Sequence, residues 1–253
     1  MTGIASHRPT VTVALITKNE AFNIKDCLRS VDWADEIVVV DSGSTDGTQE
    51  IARKAGAKVI ETGDWPGFGQ QKNRALQAAT GDWIVSIDAD ERVTAELASA
   101  LQECIAVNEN VVYETPRLTH FMGQPVHHCG WYPDYGIRLF KRGAARFSND
   151  LVHEHLMVDH PRKRLKPHLL HYSYRDQGDV VKKIQLYGRA GALQVHARGR
   201  QVGPVMRWVK TIWAWIRTYV FRLGILDGSA GWQIARMNAL TTYLKYQPVS
   251  KHQ

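Results

Sequence analysis

Three carboxylates fall within four residues at Asp88-Ala89-Asp90-Glu91. Like charges this close raise one another's free energy, the more so when partly desolvated. A divalent cation with hard oxygen ligands would relieve the repulsion and could carry a diphosphate at the same time. The plainer alternative is a solvated acidic turn. Two more polar clusters lie upstream, Thr17-Lys18-Asn19-Glu20 and Asp41-Ser42-Gly43-Ser44-Thr45-Asp46. No GxGxxG and no GxxxxGK[ST] occurs, so neither a dinucleotide dehydrogenase nor a P-loop nucleotidase is indicated.

Each cluster follows a short apolar run. Val11 to Ile16, Glu36 to Asp41 and Trp83 to Ile87 read as buried strands, and Ala57 to Glu61 as a shorter one. Between them, residues 23–31, 48–55 and 68–79 have helical spacing, and Thr94 caps a further helix reaching about Val107. Asp46 and Gln49 resemble a capping box for the helix from Thr48. Continuous Val/Ile strands alternating with helices predict an α/β fold with a mostly parallel sheet covered on both faces. Ligands of such sheets bind beyond the carboxyl ends of the strands, and right-handed crossovers bring all three clusters to that edge.

The ordered set VALITKNE, VVVDSGSTDGT and IDADE resembles the inverting family 2 glycosyltransferases of the GT-A fold, over roughly residues 10–92. The first motif departs from the usual Pro-Thr-Tyr-Asn. The resemblance implies a nucleoside-diphosphate sugar donor, a UDP-sugar, held with Mn²⁺ or Mg²⁺. It implies that Thr17, Asn19 and Glu20 border the nucleotide and that Asp41 and Ser42 contact its base or ribose. Lys72 and Asn73 would flank the nucleotide, and Asp88 and Asp90, with Ala89 between them, would hold the ribose and the metal bound to the diphosphate. Further on, Gly130-Trp-Tyr-Pro-Asp134, Arg138-Leu-Phe140, Val152-His153-Glu154, Leu170-His171-Tyr172 and Leu226-Asp227-Gly228 resemble the lipopolysaccharide-core branch, whose members glucosylate an inner-core heptose. The acceptor implied is lipid-linked and heptose-containing. Another glycan, such as capsule, is the alternative.

Inverting transfer needs a base for the acceptor hydroxyl and stabilisation of the departing diphosphate. Glu154, between His153 and His155, is the first candidate base, because neighbouring histidines can keep it ionised. Asp134 is the reserve and Glu91 the third. His171 donates to the diphosphate, completes the metal's coordination or is structural, and His153 either donates to the diphosphate or acceptor or is structural. Arg138 either grips phosphate with its fork or packs its stem on Trp131 or Tyr135. Trp131 and Tyr132 either stack on a sugar or form an aromatic core pair.

The chain has 253 residues, a net charge of +7 and a hydrophobic fraction of 44%. This is enough for a sizeable core and excludes a disordered chain. The basic balance suits an anionic partner, but no RNP, helix-turn-helix or zinc pattern points to nucleic acid. Cys27, Cys104 and Cys129 lack zinc spacing and read as reduced thiols. The N-terminus has no secretory apolar run, so the expectation is a cytoplasmic protein. Three stretches are expected: a nucleotide-sugar half at 1–112, an acceptor half at 113–178 and C-terminal helices at 179–253. Within the last, residues 203–226 carry Trp208, Trp213 and Trp215, with Arg207, Lys210, Arg217 and Arg222 on another stripe. That segment reads either as a helix in an anionic membrane interface or as one packed on the protein or at a dimer contact. The basic run 161–166 is either a solvated loop or faces lipid phosphates.

Overall fold

The computed structural model describes residues 8–148, 155–199 and 201–248. They fall into two compact units, Met1–Arg117 with Asp134–His171, and Leu118–Pro133 with Tyr172–Gln253. This division cuts across the three expected stretches, because two long strands each run from one unit into the other.

The first unit begins β1 (Val11–Thr17), α1 (Ala21–Arg29), β2 (Glu36–Asp41), α2 (Thr48–Lys54), β3 (Lys58–Glu61), α3 (Phe68–Ala78) and β4 (Trp83–Ser86). It continues with β5 (Glu91–Val93), α4 (Ala95–Val107) and the start of β6 (Val112–Phe121). β7 (Gln124–Pro125) pairs with the end of β6 in the second unit. Back in the first unit come β8 (Asp134–Lys141), β9 (Ala145–Phe147), β10 (Leu156–Val158), β11 (Arg162–Arg164) and the start of β12 (Leu169–Tyr174).

All seven residues of β1 are buried, as a strand covered on both faces requires. Val13 and Leu15 point into one core with Ile24, Leu28 and Leu97, while Ala14 and Ile16 point into another with Ala75 and Phe140. β3, β2, β1 and β4 are parallel neighbours, and β8 and then β6 continue the sheet antiparallel. The helical crossovers put the carboxyl ends of β1, β2 and β4 at one edge. β5 pairs antiparallel with β12, setting His171 opposite Glu91. The α/β architecture is the one expected from the strand–helix alternation and matches the GT-A fold that the motif resemblance implied, but the sheet is mixed, since β5, β6, β7, β8 and β12 pair antiparallel.

Two local expectations change. α2 opens on Gly47, with φ of +90° and no side-chain cap. Gln49 turns instead to Asp41, whose buried carboxylate is the more demanding partner. The basic run at 161–166 holds a short, exposed strand, β11, where a solvated loop was one expectation. Arg162 and Arg164 on β11 reach Glu114 on the adjoining β6, at 3.2 and 3.1 Å.

In the second unit, α5 (Gln177–Ala197) and α7 (Gly228–Lys245) pack with the ends of β6 and β12, and α6 (Pro204–Ile216) packs on α7. Residues 203–226 are not one helix. α6 gives way to a π-helical turn, Arg217–Phe221, and a 3₁₀ turn, Gly224–Asp227. The break lets the backbone of α7 lie against the 3₁₀ turn, where a Cβ on Gly231 would collide with the Gly224 carbonyl oxygen.

Candidate active site

The ends of β1 and β2 are knitted into a cradle by Asp41. Thr17, its register partner, donates to Oδ2 at 2.9 Å, and the Ser44 amide and Gln49 Nε2 donate to Oδ1 at 2.8 and 2.5 Å. Burial would raise this carboxyl, but the bonds from Ser44, Gln49 and Thr17 outweigh it and hold the group below its ordinary value. Asn19, at φ of +57°, donates from its amide to Ser44 Oγ and accepts from the Thr45 amide. The Glu20 amide donates to Thr48, its carboxylate accepts from Asn23, and Ser42 Oγ accepts from Gln71. Asp41 has no exposed surface, so it shapes the cradle rather than reaching a base or ribose.

At the end of β4 the three carboxylates meet three different fates. The Asp88 amide donates to Glu91 Oε2 at 2.8 Å and the Glu91 amide to the Asp88 carbonyl at 3.0 Å, which closes the turn around Ala89. Asp88 pairs with Lys72 of α3 at 3.0 Å. Burial alone would raise the Asp88 carboxyl, yet Lys72 and Arg138 hold it well below the carboxylate range. Asp90 Oδ2 lies 3.3 Å from His171 Nε2, delivered by the β5–β12 pairing. Glu91 is fully buried. Desolvation pushes its carboxyl up, opposed by Arg138, whose Nη2 reaches Oε1 at 2.5 Å. Arg117 stands 3.8 Å from Glu91 and pairs with Asp134 at 2.5 Å.

Several expected roles therefore move. Arg138 is committed to Glu91 and to the Ser86 carbonyl, not to a phosphate. Glu91 is an internal counter-ion and no base. Asn73 exchanges two hydrogen bonds with the Phe147 backbone, so it pins β9 to α3 instead of flanking a nucleotide. Trp131 stacks on Tyr174 at 5.4 Å and packs on Phe121, which makes it a core residue of the second unit and no sugar platform. Tyr132 meets the edge of His127 at 5.7 Å. Glu154 and His153 lie outside the described residues. The sequence reading missed Arg117, although a cation in the otherwise buried strand β6 demands an anionic partner.

Asp90 and His171 fit a divalent cation. Two adjacent ligands, each about 2.1 Å from an octahedral ion, stand roughly 3.0 Å apart, close to the separation of this pair. Among the described residues no three His, Cys, Asp or Glu converge on one point. The protein would thus supply two donors, and a bound diphosphate and water the remainder.

The Glu91–Arg138 pair sets the stability of this turn. Arg138→Leu leaves a buried carboxylate with one distant cation and should cost about 3–5 kcal/mol, seen as a lower urea midpoint. Adding Glu91→Gln should recover much of the loss. An unshifted midpoint in the single variant would mean the pair carries no stability.

Residues 12–145 match the family described as Glycosyl transferase family 2. An uncharacterized glycosyltransferase of Rickettsia typhi is 27% identical over 255 residues, covering 93% of this chain and 85% of its own. The lipopolysaccharide core biosynthesis glycosyltransferase LpsC of Rhizobium meliloti is 31% identical over 160 residues, 57% of this chain and 56% of that protein. Among solved structures, glucosyl-3-phosphoglycerate synthase from Mycobacterium tuberculosis, crystallised with Mn²⁺, UDP and glucosyl-3-phosphoglycerate, aligns at 29% identity and a TM-score of 0.38. That alignment covers 44% of each chain, less than half the length of the synthase.

Proposed function

From the premise that this chain belongs to glycosyl transferase family 2, and is a glycosyltransferase, we propose that it moves a hexose, glucose in the first instance, from a UDP-sugar to an inner-core heptose of a lipid-linked lipopolysaccharide precursor. The reaction is a single displacement with inversion, dependent on Mn²⁺ or Mg²⁺, at the cytoplasmic face of a bacterial inner membrane. The observation that carries the donor side is the Asp90–His171 pair, set beside Lys72–Asp88 on one sheet edge. The acceptor rests on the motifs after Gly130 and on the similarity to a lipopolysaccharide core glycosyltransferase.

The acceptor oxygen bonds to the anomeric carbon as the bond from that carbon to the diphosphate oxygen breaks. The hydroxyl proton passes to the base, Glu154, and the electron pair leaves with the diphosphate. A divalent ion between Asp90 and His171 would neutralise charge on that leaving group. The cradle of Thr17, Asn19, Glu20 and Ser42 bounds the nucleotide, its shape fixed by Asp41. Lys72 lies within reach of phosphate and of Asp88 alike, and keeps the carboxylate turn from repelling the donor.

Binding and slow hydrolysis of a panel of UDP-sugars, with and without Mn²⁺, tests the donor, with heptose-containing core oligosaccharides added as acceptors. UDP-glucose should be turned over only with metal, and faster with the acceptor. Metal-independent turnover would remove the cation, and transfer only to heptose-free glycans would remove the acceptor.

A further inference from the structure

The C-terminal unit presents an apolar surface of the wrong polarity for water. Along α6, Trp208, Ile212 and Trp213 are 55, 55 and 52% exposed, and Phe221 in the π-helical turn is 68% exposed, with its ring 5.5 Å from that of Trp213. Leu223, Ile225 and Leu226 extend the surface into the next turn. Single exposed apolar residues are ordinary on soluble proteins, but a contiguous band marks an interaction site. The opposite side of α6 is the occupied one. Thr211, Ala214 and Thr218 are buried, and the two hydroxyls bond back to the Arg207 and Ala214 carbonyls. Asn238 of α7 donates to Thr218 at 3.1 Å. The small residues of the basic stripe thus pack inward, and Trp208, Ile212, Trp213 and Phe221 are left outside.

Charge narrows the partner. From Val180 to Gln253 there are twelve Lys and Arg and one acid, Asp227. Asp227 is 4% exposed and is spent on the His127 and His128 amides. Arg217 and Arg222 are exposed beside the apolar band. Arg207 and Lys210 lie over the rings of Tyr243 and Tyr246. A second copy of this face would set the same cations against each other. An anionic bilayer offers acyl chains for the aromatics and phosphates for the arginines. No helix among the described residues is long and apolar enough to cross a membrane.

We propose that α6 and the two turns after it lie in the plane of an anionic bilayer surface, with Trp208, Ile212, Trp213 and Phe221 inserted among the acyl chains and Arg217 and Arg222 at the phosphates. The proposal deepens the reading of a lipid-linked acceptor, although the binding itself needs no substrate. The apolar band, more than the cations, provides the hold.

The full chain is sedimented with vesicles of phosphatidylcholine containing about one third phosphatidylglycerol, whose anionic surface the cations would meet. The wild type should bind, keep most of its binding at high salt, and show tryptophan quenching by lipids brominated on the acyl chains. Trp213→Gln with Phe221→Gln should lower the partition coefficient at least about tenfold, since both rings lose their burial. Ile212→Ser is a smaller lesion on the same band and should give a partial loss, with far-UV circular dichroism unchanged in both. Absent sedimentation of the wild type, equal binding of the double variant, or complete loss of wild-type binding at high salt would each overturn the proposal. So would a wild-type dimer that these substitutions split, without vesicle binding. UDP-sugar binding measured without vesicles should be the same in wild type and variants. Its absence from a wild type that still binds vesicles would sink the catalytic reading and leave this surface standing.

Discussion

In the Asp90→Asn protein, turnover of the UDP-sugar falls by about a thousandfold or more while the fold survives. The carboxylate and His171 set an oxygen and an imidazole nitrogen 3.3 Å apart, a spacing that two ligands of one ion can take. An amide keeps the shape of the side chain but removes its charge and weakens it as a hard ligand. Charge stabilisation of a leaving diphosphate by a bound metal is worth several kcal/mol. At 1.36 kcal/mol per decade, about 4 kcal/mol is three decades of kcat. Asp90 is 27% exposed on its side chain and an amide can keep its contact with His171, so the urea midpoint should stay near that of the wild type. The measurement pairs kcat at saturating Mn²⁺ with Mn²⁺ affinity by calorimetry, and both should fall together. A kcat within about tenfold of wild type would show that Asp90 does not hold the ion on which the donor chemistry depends.

Much of this site was legible along the chain because its parts are local. A continuous apolar strand predicts burial on both faces, and an acid at its carboxyl end predicts a place on the ligand edge, as β1, β2 and β4 show. His171 is eighty-one positions from Asp90, and only the antiparallel pairing of β5 with β12 brings them together. The motif resemblance marked His171 as a candidate ligand, but the spacing of residues could not show its partner. Arg138 was misread because its partner's burial is a tertiary fact. With Glu91 wholly enclosed, the fork is claimed by the nearest carboxylate before any ligand can compete for it. The helical stripe of residues 203–226 was visible in the sequence, but which side is covered depends on the size of what packs there. α7 packs along α6, with Asn238 donating to Thr218, and Thr211, Ala214 and Thr218 are small enough to be buried there. Trp208 and Trp213 are larger and stay more than half exposed, while Trp215 packs on Trp232. Periodicity fixes the angle between two faces and is silent about which one a neighbour will take.

The identity of the base can be decided by comparing two carboxylates. Asp134 is half exposed on its side chain and pinned to Arg117 by two hydrogen bonds, at 2.5 and 3.0 Å. A carboxylate held this way must be released from the guanidinium before it can reach an acceptor hydroxyl. Asp134→Asn should therefore lower kcat by less than about tenfold, the range of a positioning effect and short of a lost proton acceptor. Glu154, which the sequence sets between His153 and His155, is the base we propose. Glu154→Gln should lower kcat by about two to four decades, the contribution of a positioned general base. The donor KM should barely move, because the base touches the acceptor and not the nucleotide. The acidic limb of kcat/KM against pH should disappear with it, which a structural lesion would not cause. If Glu154→Gln keeps that limb and Asp134→Asn loses it, the proton goes to Asp134, and the pairing with Arg117 must then open when the acceptor binds.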